Sequence, residues 1–227
     1  MSVKEEIKAY KEAVLAGEVK CASAECPECE LAPDEFKVHE RRRRWFYVIV
    51  GAFVERLVSM LVRWECPLCG RTFTQYPPFA LPYKRYVRQT VETLSEKYVC
   101  EESCTYEESV KVNSQGIGYL PAGRHGGSQQ LGVIDDRQLA PSSVWRWLSF
   151  LGGLKETLRR ALRLIRAKAP SSEVFRKAAA IAHYKYRSRE RGDLLRRVLQ
   201  LRYARHEYRR LFGRSFFPEY GTGGQWV

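Results

Sequence analysis

Several features that would assign the chain to a common class are scarce. Its seven cysteines among 227 residues are too few and too irregularly spaced for the disulfide framework of a secreted protein. The best candidate for a membrane span, residues 45–62, is short, contains Glu55 and Arg56, and directly follows four arginines. Residues 1–20 are charged throughout, so we expect no signal peptide there. We therefore expect a cytoplasmic protein in a reducing environment, with no membrane partner.

The sequence motifs of common enzymes are missing as well. There is no glycine-rich phosphate loop followed by Lys-Ser or Lys-Thr, and no clear arrangement of Ser, His and Asp or of Cys and His. The acidic residues after residue 153 are scattered among arginines: Glu156, Glu173, Glu190, Asp193, Glu207 and Glu219. We therefore predict that the chain alone is not an enzyme.

What the sequence has in excess is positive charge, and most of that excess lies in one segment. The formal net charge is +13, and the isoelectric point is near 9.5. Residues 154–214 contain 19 Lys or Arg and 5 Asp or Glu, whereas the other residues contain 20 and 21. This asymmetry favours contact with a phosphate backbone over a solvated basic face that binds nothing. We expect a nucleic acid as the partner, with the protein associated with the nucleoid.

The composition is that of a folded protein, since 44% of residues are hydrophobic and 12% are aromatic. Hydrophobic periodicity predicts strands over residues 45–50, 53–64 and 72–76, and helices over residues 1–20, 83–100, 105–112, 143–151, 154–168, 172–187 and 193–212. Residues 113–132 contain six glycines and are predicted to be an irregular, exposed loop. Residues 135–139 are predicted to form one turn.

Two Cys-Pro-x-Cys turns are the most specific signal in the chain. Cys26 with Cys29 and Cys66 with Cys69 are separated by 36 residues that contain a predicted hairpin. Each turn supplies two thiolates, and Gly70 allows the positive φ that such turns need. Four protein ligands close the tetrahedral shell of Zn²⁺, so we predict a structural zinc ion on these four residues.

Two other interpretations of the cysteines remain open at this point. The four could be ordinary reduced thiols, or a redox-active dithiol. Cys21 or His39 could replace one of the four ligands. The spacing of Cys100 and Cys104 favours buried core thiols rather than a second metal site.

Residues 83–153 have the pattern of a helix-turn-helix with an unusually long joint. In that hypothesis residues 143–151, capped by Ser142 or Ser143, form the recognition helix. Its inward face would consist of Val144, Trp147, Leu148 and Leu151. An ordinary helical bundle is the alternative. The residues predicted to contact DNA, including three arginines of the next helix, are Ser142, Ser143, Trp145, Arg146, Ser149, Arg159, Arg163 and Arg166.

The amino-acid sequences of several of these segments resemble those of a known protein family. The relevant stretches are Cys-Pro-Leu-Cys-Gly-Arg-Thr-Phe-Thr at 66–74, Pro-Pro-Phe-Ala-Leu-Pro-Tyr-Lys-Arg-Tyr at 77–86, Thr-Tyr-Glu-Glu-Ser-Val at 105–110, and Ser-Ser-Val-Trp-Arg-Trp-Leu-Ser-Phe-Leu-Gly at 142–152. They resemble the zinc-ribbon and helix-turn-helix front ends of bacterial insertion-sequence transposases. The chain is most similar to short transposase-like proteins that lack the RNase H-like catalytic domain. Its residues 210–218, Arg-Leu-Phe-Gly-Arg-Ser-Phe-Phe-Pro, resemble the tails of those proteins.

The resemblance implies a DNA-binding accessory or regulator of a mobile genetic element. It also implies that the four cysteines hold zinc and that the helix at residues 142–149 faces DNA. The catalytic fold of such transposases needs on the order of 100 residues and three carboxylates on a sheet, whereas the 74 residues after Gly153 are predicted to be basic helices.

Three alternatives to that function stay open. The chain could be the DNA-targeting component of a transposase or nuclease whose catalytic carboxylates are on another chain. It could be a nuclease that uses Asp135 and Asp136, or a basic protein that binds structured RNA.

The sequence as a whole predicts an α+β fold that is mostly α, with a small β zinc ribbon, a helix-turn-helix and C-terminal basic helices. The predicted domains are an N-terminal helix at residues 1–20, a zinc ribbon at 21–80, a helix-turn-helix-like domain at 81–153 and a basic helical tail at 154–227.

Overall fold

A computed structural model describes residues 2–23, 25–120, 135–177 and 179–213 of the chain. These residues divide into two compact units. The first unit contains residues 2–50 and 55–88, and the second contains residues 51–54 and 89–213. Helices and a mixed sheet are both present, with more helix than strand, which confirms the predicted α+β, mostly α class.

The first unit begins with helix α1, Val3–Ala16, where the sequence predicts a helix over residues 1–20. Its start is capped reciprocally: the Glu5 N–H donates to Ser2 Oγ at 3.3 Å, and the Ser2 N–H donates to Glu5 Oε2 at 2.6 Å. The helix ends at Gly17, whose φ of +77° is the left-handed conformation common at helix ends. Its buried side chains are Ile7 and Val14.

Three strands follow: β1, Lys37–Val50; β2, Phe53–Glu65; and β3, Thr72–Gln75. β1 and β2 are sheet neighbours joined by a turn at Gly51, and β3 runs antiparallel to the end of β2. The sequence predicts all three strands but starts β1 at residue 45. That boundary is wrong because the strand continues through the arginine run, so that His39 Nδ1 lies 3.2 Å from Glu65 Oε2.

Both faces of β2 are covered by apolar side chains, as predicted. One cluster packs around Met60, Val62 and Trp64 and includes Cys26 and Cys66. The second cluster packs around Leu61 and contains Ile7, Phe46, Val48, Phe79, Ala80 and Val87. The two cysteine turns are therefore anchored in the first cluster.

Helix α2, Arg88–Cys100, starts five residues later than predicted. Tyr83 has a φ of +59°, which is incompatible with an α-helix. The next residues pair with β1 instead: the Tyr47 N–H donates to the Arg85 carbonyl at 2.8 Å, and the Val87 N–H donates to the Tyr47 carbonyl at 3.0 Å. These hydrogen bonds hold residues 85–87 beside β1, so α2 begins only at Arg88.

A single turn of helix, α3, Tyr106–Ser109, follows α2 in the second unit. The Thr105 hydroxyl caps it by accepting the Glu108 N–H at 3.1 Å, as the sequence predicts. The predicted helix over residues 105–112 nevertheless ends early, because Lys111 and Val112 form a strand.

Short strands lie within and on either side of residues 113–132, the region in which the sequence predicts a loop. They are β4, Lys111–Val112; β5, Gln115–Gly116; β6, Gly118–Tyr119; and β7, Asp135–Gln138. β4 pairs with β5, and β6 lies between Phe53–Val54 of β2 and β7. Ile117 is completely buried and its carbonyl accepts the Leu139 N–H, so an irregular, exposed loop is wrong for residues 115–119. Residues 121–132 lie outside the described residues.

The predicted turn at residues 135–139 is also wrong. Residues 135–138 form β7, which runs antiparallel to β6 with a register shift at Gly118 and Tyr119. Backbone pairing across the glycine-rich region overrides the local turn signal.

Three helices complete the second unit: α4, Pro141–Gly153; α5, Lys155–Lys168; and α6, Arg189–Phe212. Both α4 and α5 pack against α6. The predicted cap of α4 by Ser142 or Ser143 is wrong, because Ala140 is the N-cap and Pro141 occupies the first turn.

The helix predicted over residues 172–187 is replaced by two short 3₁₀ segments, Glu173–Phe175 and His183–Lys185. Lys185 explains the second segment: its buried ammonium group donates to the carbonyls of Tyr98 and Glu101 at the end of α2. Residue 178 lies outside the described residues. None of the helices that the structure describes combines the length and apolar composition needed to cross a bilayer.

Candidate metal centre and nucleic-acid interface

The four cysteines of the two Cys-Pro-x-Cys turns come together in the first unit. Their sulfur atoms all lie within 4.8 Å of one another. The Cys26 and Cys69 sulfurs are 3.8 Å apart, and those of Cys29 and Cys66 are 3.9 Å apart. Four thiolates about 2.3 Å from one tetrahedral ion are separated by about 3.8 Å. The cluster could therefore hold a metal ion with little movement.

The two turns have nearly the same backbone hydrogen bonds. In the first, the Cys26 N–H donates to the Leu31 carbonyl at 2.8 Å, and the Glu30 N–H donates to the Cys26 carbonyl at 2.9 Å. In the second, the Cys66 N–H donates to the Arg71 carbonyl at 2.9 Å, and the Gly70 N–H donates to the Cys66 carbonyl at 2.8 Å. The repeated geometry presents two sulfurs from each turn to one point.

The thiols perturb one another strongly. Burial acts to raise the pKa of Cys66, but hydrogen bonds from the Cys69 and Leu68 backbone and from nearby thiols bring it down to about 7. A backbone hydrogen bond from Arg71 acts to lower the pKa of Cys69, but burial and the other thiols raise it to about 12. Thiolates packed this closely repel one another, and a bound cation would remove that repulsion.

The surroundings of the cluster are largely apolar. Cys26 and Cys66 are buried, Cys29 is half-buried and Cys69 is exposed. Phe36 and Phe73 pack edge to face in the same apolar cluster, with ring centroids 5.1 Å apart. All four coordination positions would be filled by protein, so the site leaves no open position for substrate.

The alternative ligands are not part of this group. Cys21 is excluded from the set of mutually close donor atoms, and His39 faces Glu65 instead. Cys104 is buried as predicted, but Cys100 is exposed, which corrects the prediction of two core thiols. Within the described residues, the four cysteines are the only group of three or more His, Cys, Asp or Glu close enough to share a metal ion.

Helix α4 has the inward face that the sequence predicts: Val144, Trp147, Leu148 and Leu151 are all buried. Among the residues predicted to face DNA, Ser142 and Arg146 are exposed and Ser143 is half-buried. The Arg146 side chain makes no hydrogen bond or ion pair with any residue that the structure describes. This part of the α4 surface is therefore open.

Trp145 and Ser149 are already engaged within the second unit. Arg191 of α6 donates to Ser149 Oγ at 3.0 Å and to the Tyr106 hydroxyl at 2.7 Å, and its guanidinium carbon lies 5.1 Å from the centroid of the Trp145 ring. Arg191 therefore contacts Trp145 and Ser149, two residues that the sequence predicts to contact DNA. Its spacing in the sequence gives no signal of this, because Tyr106, Ser149 and Arg191 are far apart along the chain.

Helix α5 separates apolar and basic residues onto opposite faces. Leu158, Ala161 and Ile165 are buried. Its six cations are all exposed: Lys155, Arg159, Arg160, Arg163, Arg166 and Lys168. The only acidic residue in the helix is Glu156.

The arginines of α5 that are predicted to contact DNA differ in whether they already have a partner within the protein. Arg159 forms an ion pair with Glu156, and the Arg166 guanidinium carbon lies 4.6 Å from the centroid of the Phe175 ring. Arg163 makes no such contact with described residues, nor does its neighbour Arg160. Arg160 was not among the predicted contacts, although its exposure and lack of a partner make it as suitable as Arg163.

Many arginines of α6, by contrast, stabilise the second unit. Arg205 bridges Glu92 and Glu96 of α2, with Nη2 2.6 Å from Glu96 Oε1. Arg197 Nε donates to the Gly152 carbonyl at 2.7 Å, at the end of α4. The charge of α6 is therefore largely used inside the protein, whereas that of α5 is displayed.

Comparison with known proteins adds one match. Residues 26–112 match the family described as a domain of unknown function (DUF6431). The matched segment begins at the first cysteine of the cluster and contains all four, but it ends before α4, α5 and α6. No curated protein and no solved structure matches the chain.

Proposed function

We propose that the protein binds duplex DNA through the outward face of α5 and that the four cysteines hold a structural zinc ion. The observation that carries the DNA-binding proposal is the set of exposed cations on α5 that have no ion-pair or hydrogen-bond partner among the described residues: Lys155, Arg160, Arg163 and Lys168.

The attraction between α5 and DNA is electrostatic. Cations one turn apart on a helix are separated by about 5–6 Å and repel one another unless opposite charge lies nearby. Glu156 is the only acid in α5, and Arg159 already pairs with it. A phosphate backbone supplies the missing negative charge and releases its counterions on binding. The buried face of α5 keeps this row of cations fixed on the second unit.

Sequence preference is assigned to α4. Exposed Arg146, with the Ser142 hydroxyl on the same helix, has the chemistry to contact base edges, where a good bidentate contact discriminates by about 1–3 kcal/mol. The resemblance of residues 142–152 to transposase front ends supports this role and the assignment to a mobile genetic element. Arg146→Ala should weaken binding to a selected site more than to random duplex, and equal losses on both would contradict the assignment.

Zinc is the metal that best fits the cluster. A mononuclear site of four thiolates without an open position is typical of structural Zn²⁺. Elemental analysis should find about one zinc per chain. Cys66→Ser should lose the metal and unfold the first unit, because binding and folding of such sites are coupled. Cys100→Ser, which removes an exposed thiol outside the cluster, is the matched control. A fully folded, metal-free protein would disprove the zinc centre.

The DNA-binding proposal is tested by removing positive charges from α5 and, in a control, from the first unit. We define the α5 variant as Arg160→Gln, Arg163→Gln and Lys168→Gln. The control variant removes three cations from the first unit and consists of Lys8→Gln, Lys11→Gln and Lys20→Gln. Fluorescence anisotropy with a random duplex should show weaker binding by the α5 variant, with a salt dependence shallower by about one unit per lost phosphate contact.

Two outcomes would contradict the proposal. Equal affinity and equal salt dependence for the α5 variant and the control variant would show that α5 does not contact DNA. Binding of an RNA duplex more tightly than DNA of the same length would show that the partner is RNA.

A further inference from the structure

The arginine run of the first unit is a second concentration of charge that the proposed function does not use. Residues 37–44 contain five basic residues and one acidic residue, whereas residues 1–36 contain four basic and nine acidic. Residues 37–44 are therefore the most densely basic stretch of the first unit.

The structure displays this charge on the surface. β1 is the last strand on its side of the described sheet, and Arg41, Arg42 and Arg43 are all exposed. Because side chains alternate along a strand, Arg42 points to one face and the other two point to the opposite face. Arg41 Nη2 lies beside the end of α1, 3.9 Å from the Cβ position of Gly17, and the side chain is nevertheless exposed. Arg42 pairs with Glu40 at 2.6 Å, while Arg41 and Arg43 have no hydrogen-bond or ion-pair partner in the described part of the chain.

The segment is held firmly at its end. Arg44 is half-buried, and its Nη2 donates to the Lys84 carbonyl at 3.1 Å. The next residue, Trp45, is 39% exposed, and the guanidinium carbon of Arg56 lies 4.0 Å from the centroid of its ring. Arg56 is itself exposed, so it adds a fourth displayed guanidinium, fixed in place by the aromatic ring.

We propose that Arg41, Arg43 and Arg56, which lie on the same side of β1 as Trp45, form a second phosphate-binding surface for duplex DNA on the first unit. Guanidinium groups donate in a planar fork that suits phosphate oxygens, and they keep their charge at every physiological pH. Charged side chains on an edge strand can also serve only to deter pairing with another strand. Deterring strand pairing requires only charge. A run made entirely of arginines, beside an arginine stacked on tryptophan, also supplies several guanidinium groups that can bind phosphate.

This surface shares its partner with the proposed function but none of its residues. The β1 variant, Arg41→Gln with Arg43→Gln and Arg56→Gln, removes three charges, as do the α5 variant and the control variant defined above. All three are made in the full chain, and thermal melting with metal analysis verifies that each remains folded.

Salt-dependent binding to a random duplex separates the possibilities. The β1 variant should bind at least about tenfold more weakly at moderate salt, with a slope shallower by about two to three units, since each lost phosphate contact removes about 0.9. Arg→Lys at the same three positions should restore most of the slope, because the charge is kept. The control variant should keep both the affinity and the slope.

The outcomes distinguish this inference from the proposed function. If the β1 variant behaves as the control variant does, or aggregates while its DNA affinity is unchanged, the second surface is wrong. If the β1 variant loses affinity and the α5 variant does not, the second surface stands and the role proposed for α5 fails. The reverse result leaves α5 as the binding element and overturns the inference for β1.

Discussion

Glu30 and Gly70 occupy the same position in the two Cys-Pro-x-Cys turns and share a left-handed backbone, with φ of +60° and +70°. Each amide donates to the carbonyl of the first cysteine in its turn, at 2.9 and 2.8 Å. Glycine adopts this conformation freely, whereas a residue with a side chain pays about 1–2 kcal/mol. The two halves of the four-cysteine cluster are therefore matched in geometry but not in backbone strain.

This asymmetry predicts opposite effects of two substitutions. Gly70→Ala should lower the free energy of unfolding by about 1 kcal/mol, because no other residue crowds the position but the backbone becomes strained. Glu30→Gly should leave the stability unchanged or raise it. Chemical denaturation of the metal-loaded protein measures both, and a larger loss at Glu30 than at Gly70 would show that the two turns are not equivalent.

Two adjacent glycines at the end of α4 provide a matched test of packing. A Cβ at Gly152 would lie 2.7 Å from the Leu194 backbone oxygen, whereas a Cβ at Gly153 would have no neighbour within 4 Å. Gly152→Ala should therefore destabilise the second unit by about 1–3 kcal/mol. Gly153→Ala should be neutral or slightly stabilising. Equal effects on the melting temperature would mean that α4 and α6 are not packed as described.

Arg205, through its ion pairs, should contribute far more to the free energy of unfolding than the exposed Arg209 does. Arg205 and its partners Glu92 and Glu96 are only 13–20% exposed. Arg205→Leu leaves carboxylates in a poorly solvated place and should cost about 3 kcal/mol. Arg209→Leu removes an exposed arginine with no side-chain partner among the described residues, and should change the stability by less than about 0.5 kcal/mol. Urea unfolding of the two variants compares them directly.

A carboxylate in α6 predicts how stability changes in acid. The Arg210 guanidinium and the Ser172 hydroxyl donate to Glu207 and lower its pKa from 4.5 to about 2. A lowered pKa in the folded state stabilises the protein above pH 4.5, and that stabilisation disappears as the pH falls towards 2. Glu207→Gln should therefore lower the melting temperature at pH 6 but have little effect near pH 2.

The same substitution at exposed Glu12 controls for the loss of one negative charge. A constant difference between wild type and Glu207→Gln across the whole pH range would contradict the assigned interaction.

Patterns that depend on neighbouring residues were predictable from the sequence. The two cysteine turns identify the four-cysteine cluster because each turn is complete within four residues. The inward face of α4 follows from helical periodicity at Val144, Trp147, Leu148 and Leu151, all of which are buried.

Features that depend on distant residues were not predictable in this way. Residues 115–119 are glycine-rich, but Gln115–Gly116 pairs with β4, and Gly118–Tyr119 pairs with Phe53–Val54 and with β7. Lys185 ends up buried because its ammonium group meets carbonyls at the end of α2, about 85 positions earlier in the chain. Arg191 covers part of α4 for the same kind of reason: its partners lie on separate elements.

The most direct test of the account is the salt dependence of DNA binding by the unmodified full chain. Anisotropy of a labelled random duplex, measured from about 50 to 300 mM salt, gives the slope of log affinity against log salt concentration. Four or more phosphate contacts predict a slope of about −4 or steeper. Failure to bind at the lowest salt concentration, or a slope near zero, would contradict the account.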